Sequence, residues 1–173
     1  MYRLRVFYRK ENLARFISEK NFQRMLERTL RRMDVPMKFT EGFNPHPKMS
    51  FGPPLPVGIA GLNERFDVFL IKKIDINSFI SQSRDILPEG IVFSHTKWIE
   101  NTAPSIHSID TFAKYIIETT ENTATEPLEK MGKITEHTDK RIALLIRVNN
   151  FSHKELTGLL LKGEIKNITR EIL

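Results

Sequence analysis

Residues 2–9, Tyr-Arg-Leu-Arg-Val-Phe-Tyr-Arg, contain the pattern that decides the start of the fold. Every second residue is apolar or aromatic, and the alternate positions hold Arg3, Arg5, Phe7 and Arg9. Because side chains of a strand alternate between the two faces of a sheet, this period of two predicts a strand with one face on the core.

A helix is predicted to follow, from a cap at Ser18 to about Met33. Glu19 stands in its first turn, where a negative charge is favourable, and Pro36 lies just beyond its end. The predicted buried stripe consists of Phe22, Met25, Leu26, Leu30 and Met33. This helical spacing should place the stripe against the apolar face of the first strand.

The elements that follow indicate an α+β protein. Further strands are predicted at 35–40, 48–51 with a continuation at 57–60, 65–72 and 91–99, and a second helix at 76–86 with Asp75 as its cap. The order fits a ferredoxin-like βαββαβ antiparallel sheet with one extra or broken strand in the middle. Both helices would cover one face and leave the other face available.

The chain is predicted to divide into a ferredoxin-like basic domain at 1–100, a linker at 101–110 and a smaller α+β unit at 111–173. The second unit is short and is expected to pack on the first for stability. Its predicted elements are strands at 112–119, 141–149 and 166–172 and helices at 126–133 and 153–161. No residue-level repeat relates the two units.

The composition of the 173 residues excludes several classes of protein. There is no cysteine, so the chain itself holds no iron–sulfur cluster, zinc–thiolate site or disulfide, and a reducing, cytoplasmic location is expected. No secretory signal follows Met1, and no apolar stretch is long enough to span a membrane. The five histidines show no metal-ligand spacing, so no metal and no cofactor is predicted for this chain.

The positive charge is concentrated at the start of the chain. Residues 1–50 contain 12 Lys and Arg against 5 Asp and Glu, a net charge of +7. The remaining residues contain 15 basic and 16 acidic residues, a net charge of −1. Such asymmetry favours a surface that binds a polyanion, although a solvated basic helix would give the same count.

Arg3, Arg5, Phe7 and Arg9 form the first candidate RNA-binding group. Arginines interleaved with an aromatic ring on an open sheet are typical of surfaces that hold single-stranded nucleic acid. The alternative is that the arginines pair with carboxylates, and Asp67 on a neighbouring strand is a suitable partner.

The second candidate group is Arg24, Arg28, Arg31 and Arg32 on the first helix. The spacing places Arg24, Arg28 and Arg31 in one row, where like charges four residues apart repel each other. A helix that accepts this repulsion is a candidate anion-binding surface, and an ordinary solvated face is the alternative.

The third candidate group, Asn44, His46 and Lys48, lies in residues 42–58, Gly-Phe-Asn-Pro-His-Pro-Lys-Met-Ser-Phe-Gly-Pro-Pro-Leu-Pro-Val-Gly. Prolines restrict this segment, so the three polar side chains are predicted to share one face and to bind a phosphate or a base edge. Phe43 is predicted to anchor the loop in the core. The alternative is a purely structural bulged edge strand.

Residues 13–18, Leu-Ala-Arg-Phe-Ile-Ser, the arginine-rich helix and the proline-rich segment resemble the family of radical-SAM-linked proteins, the domain DUF2344. The resemblance is strongest over residues 2–72. It implies a partner, a radical S-adenosylmethionine protein with a cobalamin-binding type of domain, and gene neighbours that suggest RNA. After Ser18 the family often has His-Leu-Asp, where this chain has Glu19-Lys20-Asn21.

These observations predict a non-catalytic RNA-binding or substrate-presenting module that acts with a radical S-adenosylmethionine partner. One alternative is an enzyme of RNA modification or processing that uses Asp67 or His46 as its acid–base group. Another is a subunit that only binds a protein partner through the open sheet. No phosphate-binding glycine loop or nucleophile elbow occurs in the sequence.

Overall fold

The computed structural model describes residues 1–109, 111–119, 126–148, 154–161 and 165–173. The strands are β1 (Tyr2–Lys10), β2 (Met49–Phe51), β3 (Ala60–Leu70), β4 (Ile91–Ile99), β5 (Phe112–Thr119), β6 (Lys133–Thr138), β7 (Arg141–Arg147) and β8 (Ile165–Ile172). The helices are α1 (Glu19–Arg32), α2 (Ile76–Ile86), α3 (Glu126–Glu129) and α4 (Lys154–Leu161). Short 3₁₀ turns lie at Asn12–Phe16 and Ile106–Ser108.

All eight strands belong to one sheet, in the order β4-β1-β3-β8-β5-β7-β6, with β2 paired to β3. The pairing of β3 with β8 is parallel, and the other pairs are antiparallel. β3 pairs with two strands along one of its edges: β2 pairs with residues 66–68, and β8 pairs with residues 60–62. The predicted α+β class is confirmed.

The two halves of the sheet repeat one strand order. Residues 2–99 run β1-α1-β2-β3-α2-β4 and give the spatial order β4-β1-β3-β2. Residues 112–172 run β5-α3-β6-β7-α4-β8 and give the order β8-β5-β7-β6, which is the same arrangement. The duplication is one of topology, and the sequence contains no residue-level repeat that would indicate it.

The first core confirms the predicted register of β1. Leu4 and Val6 are fully buried and pack against Phe22, Leu26 and Leu30 of α1. The Ser18 side chain accepts a hydrogen bond from the backbone N–H of Asn21, and Asp75 caps α2 in the same way through Ser78. Both caps stand where the sequence predicts them.

The chain path differs from the prediction at residues 35–40 and at β6. Residues 35–40 form only isolated bridges, Met37 with Leu70 and Phe39 with Pro47, because Met37 meets β3 at Leu70, the last residue of that strand. The sequence also does not predict β6, whose residues are almost all exposed and polar. An edge strand with few buried side chains lacks the alternation on which the prediction depends.

Residues 101–109, within the predicted linker, pack against the first half of the sheet. Ile106 is buried, and the backbone carbonyls of Ala103 and Pro104 accept hydrogen bonds of 2.8 Å from Arg3. The segment therefore covers part of the sheet face that the sequence predicts to be open. None of the helices in the described ranges is long and apolar enough to cross a membrane.

Candidate nucleic-acid interface

Three arginines of α1 line a groove between this helix and the end of α2. The groove has a volume of about 340 Å³. Its walls include Asn21, Arg24, Arg28, Arg32, Ile86 and Pro88. Residues four apart lie one above the other on a helix, so Arg24, Arg28 and Arg32 form a row spanning about 80° of its circumference. We call this feature the arginine groove.

None of the described residues in the walls of the arginine groove is acidic. Arg24, Arg28 and Arg32 are exposed, and none of their side chains forms an ion pair or hydrogen bond with another residue in the described part of the chain. Each like-charged pair four residues apart costs an isolated helix about 0.2–0.5 kcal/mol. The row thus concentrates positive charge that the described residues do not neutralise.

Arg31 has a different environment, although the sequence places it in the same row. Its Nη2 donates to Glu27 Oε1 at 3.0 Å, and its guanidinium lies 4.9 Å from the centre of the Phe39 ring. Arg31 therefore faces the loop on the other flank of α1, and Arg32 takes its place in the groove.

On β1, the structure supports the alternative in which the arginines pair with Asp67. Arg3 Nε donates to Asp67 Oδ2 at 2.8 Å, and Arg5 donates to both carboxylate oxygens at 2.8 and 3.1 Å. Antiparallel pairing of β1 with β3 brings Arg5 opposite Asp67. These contacts are structural, and we therefore do not include Arg3 and Arg5 in the candidate RNA-binding surface.

The same contacts determine whether the Asp67 carboxylate can reach a substrate as an acid–base group. Its side chain is completely buried and accepts charged hydrogen bonds on both oxygens. A general base must reach the proton that it removes. The geometry therefore gives Asp67 the role of holding two arginines within the sheet.

Phe7 and Arg9 lie nearer to solvent than the other two members of this group. Phe7 is half-buried and stacks on His95 of β4, with ring centres 4.1 Å apart and an angle of 11° between the planes. Arg9 forms an exposed ion pair of 3.3 Å with Glu11. Such pairs contribute little to stability, so Arg9 remains available to another anion.

Strand register adds basic residues to this face that sequence analysis missed. Lys97 lies opposite Arg5, and Arg65 lies opposite Phe7. Burial, followed by the nearby Arg5 charge, lowers the pKa of Arg65 from its ordinary value. Only the pairing of β1 with β3 and β4 brings these residues together, and no spacing along the chain indicates it.

The loop residues of the third candidate group do not share one face. Asn44 and His46 are exposed, and His46 Nδ1 lies 4.0 Å from Glu27 Oε2 beside α1. Lys48 instead lies over the Phe69 ring at 5.0 Å, on the side of the sheet that carries Arg3. The structure thus separates His46 from Lys48.

The predicted anchor of this loop is also wrong. Phe43 is fully exposed at the loop tip, with a relative accessibility of 107%. Two hydrogen bonds close the loop instead: the Thr40 N–H donates to the His46 carbonyl at 2.8 Å, and the His46 N–H donates to Thr40 Oγ1 at 3.0 Å. The Phe43 ring takes no part in this closure.

The proline-rich segment has a structural partner in the second half of the sheet. Arg170 of β8 donates to the carbonyls of Pro53 and Pro54 at 2.9 Å. It also forms a two-pronged pair with Glu64 of β3, at 2.8 and 2.7 Å. Burial alone would lower the pKa of Arg170, but the Glu64 carboxylate outweighs burial and raises it.

Comparison with known proteins identifies one family. The family model described as "Uncharacterized protein conserved in bacteria (DUF2344)" matches residues 3–157, which include β1, the arginine groove, the proline-rich segment and part of α4. No curated protein matches the chain. Because the family match covers most of the sequence, the chain belongs to the DUF2344 family.

Proposed function

We propose that this protein is a non-catalytic module that binds RNA through the arginine groove. The observation that carries the proposal is the row of Arg24, Arg28 and Arg32, which faces a groove without carboxylates and has no ionic partner among the described residues. Arginine binds phosphate through several fixed donors, which suits it to the backbone of a nucleic acid.

The contrast with Arg9 and Arg31 supports this choice of surface. Arg9 and Arg31 each lie beside a glutamate, as is common for solvated charges on protein surfaces. The three arginines of the groove repel each other instead, and the described residues supply no neutralising group in the groove walls. A bound polyanion would relieve this repulsion and release its own counterions.

We also propose that the module acts with a radical S-adenosylmethionine protein, as the resemblance of the N-terminal segments implies. The partner would supply the iron–sulfur cluster, because this chain has no cysteine. This chain would then bind or present RNA, and the partner would carry out the chemistry. Both proteins would act in the cytoplasm.

We further propose that residues 1–100 form a ferredoxin-like unit. The supporting observation is the antiparallel order β4-β1-β3-β2 with α1 and α2 packed on one face. In that arrangement β2 is the short strand, since β8 takes the remaining length of the same edge of β3.

Salt-dependent RNA binding tests the function. The triple variant Arg24→Ala, Arg28→Ala, Arg32→Ala should bind a labelled single-stranded RNA more weakly than the unchanged protein. If each arginine contacts one phosphate, the slope of log K against log salt should become shallower by about two units in total. Fluorescence anisotropy over a range of salt concentrations measures both quantities.

A matched control removes the same charge from the far edge of the sheet. Lys130, Lys133 and Lys140 are exposed residues near or on β6, and their triple alanine variant should keep the slope of the unchanged protein. Equal losses in the two triple variants would mean that net charge alone matters. Unchanged affinity and slope in the arginine variant would exclude the groove as the RNA surface.

A further inference from the structure

A second pocket lies where the two halves of the molecule meet. It has a volume of about 450 Å³. Its walls include Arg15, Phe16, Val57, Gly58, Ile165 and Lys166. These residues come from the 3₁₀ turn before α1, the end of the proline-rich segment and the start of β8. We call this feature the junction pocket.

The two N-terminal segments that form the pocket are fixed to each other by their backbones. The Gly58 N–H donates to the Arg15 carbonyl at 3.0 Å. Gly58 has a φ of +90°, a conformation that residues with a side chain rarely adopt. A Cβ added at Gly58 would lie 3.9 Å from the Phe16 ring, so the two segments are close together. The pocket is therefore a shaped feature of the fold that does not need a ligand to assemble it.

The described wall residues combine apolar surface with two cations, and none of them is a carboxylate. Arg15 is oriented by its Nη1 bond to Asn167 Oδ1 at 2.5 Å, and its guanidinium lies 5.0 Å from the centre of the Phe16 ring. Arg15 Nε is buried and has no acceptor among the described residues. Lys166 is an exposed residue of the pocket wall and adds the second positive charge.

The apolar side chains of the pocket are unusually exposed. Phe16 is 54% and Val57 50% accessible, although both are large hydrophobic residues. An exposed aromatic ring beside cations is the arrangement in which proteins stack a nucleobase and hold the phosphate next to it. The volume lies in the range of small-molecule sites, which commonly occur where two structural units meet.

We infer that the junction pocket binds a single nucleotide, with the base against Phe16 and Val57 and the phosphate between Lys166 and Arg15. The nucleotide is either a free mononucleotide or an unpaired nucleotide of an RNA chain. This site is separate from the arginine groove, so it does not depend on the proposed role of that groove.

NMR titration with UMP and AMP, each compared with its nucleoside, tests the inference. Phe16→Ala should weaken mononucleotide binding at least fivefold, because it removes the stacking ring. Lys166→Gln should weaken mononucleotide binding and leave nucleoside binding unchanged, because the nucleoside has no phosphate. Leu13→Ala removes another exposed apolar side chain of the same turn, and Lys140→Gln another exposed lysine, so both are matched controls.

A parallel titration with single-stranded RNA separates the two sources of the nucleotide. Loss of both mononucleotide and RNA affinity in Phe16→Ala indicates an unpaired RNA nucleotide, and loss of mononucleotide affinity alone indicates a free one. Absence of binding by UMP and AMP, or equal binding by the nucleosides, would overturn the inference. Retained RNA binding that depends on Arg24, Arg28 and Arg32 would then leave the proposed function intact.

Discussion

At the scale of single residues, Asp67 controls how much positive charge the β1 face can offer. It is buried between Arg3 and Arg5 and neutralises one of the two charges. Two further donors of Arg3 are taken by the backbone carbonyls of residues 103 and 104. A sequence rich in arginine thus produces a sheet face whose arginines are largely engaged in structural contacts.

Asp67→Ala should lower the free energy of unfolding by about 3–5 kcal/mol, because it leaves two buried guanidinium groups without their carboxylate. Urea unfolding followed by circular dichroism measures the change. Asp85→Ala is the control, since Asp85 is exposed on α2 and has no ionic partner among the described residues. A loss below about 1 kcal/mol would show that water reaches and solvates these arginines.

Tyr115 gives the molecule a dependence on alkaline pH. Burial raises the pKa of Tyr115 to about 12, despite the hydrogen bond and positive charge of Arg170, which act in the opposite direction. The unfolded chain releases this proton near pH 10, so the folded state binds the proton more tightly between these values. The stabilisation is therefore complete below pH 10 and is lost as the pH rises towards 12.

Comparison with Tyr115→Phe should isolate this contribution. The stability advantage of the unchanged protein over the variant should shrink above pH 10, at a rate of at most about 1.4 kcal/mol per pH unit. Denaturant unfolding at a series of pH values measures the difference. A constant difference from neutral pH to pH 12 would mean that Tyr115 titrates alike in the folded and unfolded chain.

At the scale of elements, two glycines show how context decides the effect of one methyl group. Gly61 lies on β3 beside the Glu64–Arg170 pair, and an added Cβ would meet Glu64 Cγ at 2.6 Å and Leu55 Cδ2 at 2.7 Å. Gly158 lies within α4 with nothing in reach of an added Cβ. The first site is filled by its neighbours, whereas the second has free space.

Gly61→Ala should therefore destabilise the protein by about 1–3 kcal/mol, the usual cost of forcing atoms into a packed core. Gly158→Ala should stabilise it by about 0.5–1 kcal/mol, because alanine restricts the unfolded chain and favours the helix. Thermal unfolding of both variants gives the comparison. Opposite signs are the expected result, and destabilisation by Gly158→Ala would show that α4 packs more tightly than the structure indicates.

At the scale of the whole molecule, the contacts that join the two halves include a short parallel pairing and a buried ion pair. β3 pairs with β8 over residues 60–62, and Arg170 connects β8 to Glu64 and to the proline-rich segment. Replacing one partner of a buried ion pair is more damaging than replacing both. The junction should therefore control whether the halves unfold together.

Arg170→Met should lower stability by about 3–5 kcal/mol, and Arg170→Met with Glu64→Leu should recover much of the loss. Trp98 is the single tryptophan and lies in the first half, so its fluorescence reports on that half alone. In the unchanged protein, fluorescence and circular dichroism should give one transition; in Arg170→Met the two should separate. Coincident transitions in the variant would show that the remaining contacts, among them the strand pairing and the packing of Leu55 and Ile59 in the second core, are enough to couple the halves.

The sequence by itself determined the local elements. The alternation of residues 2–9, the stripe of α1 and the caps Ser18 and Asp75 each follow from interactions within a few residues, and all are confirmed. The arginine-rich face of α1 could also be predicted, because helical spacing alone places its residues together. The choice of Arg32 over Arg31 in the groove depends on where α2 and Glu27 lie, and spacing does not contain that information.

Only the tertiary structure decided which charges are neutralised, where the candidate sites lie and that the sheet repeats its strand order. Asp67 meets Arg3 across 64 positions of the chain, and Arg170 meets Glu64 across 106. The junction pocket joins residues 15–16, 57–58 and 165–166. Contacts at such separations are fixed by strand pairing and packing of the whole sheet, so no local pattern of residue types can specify them.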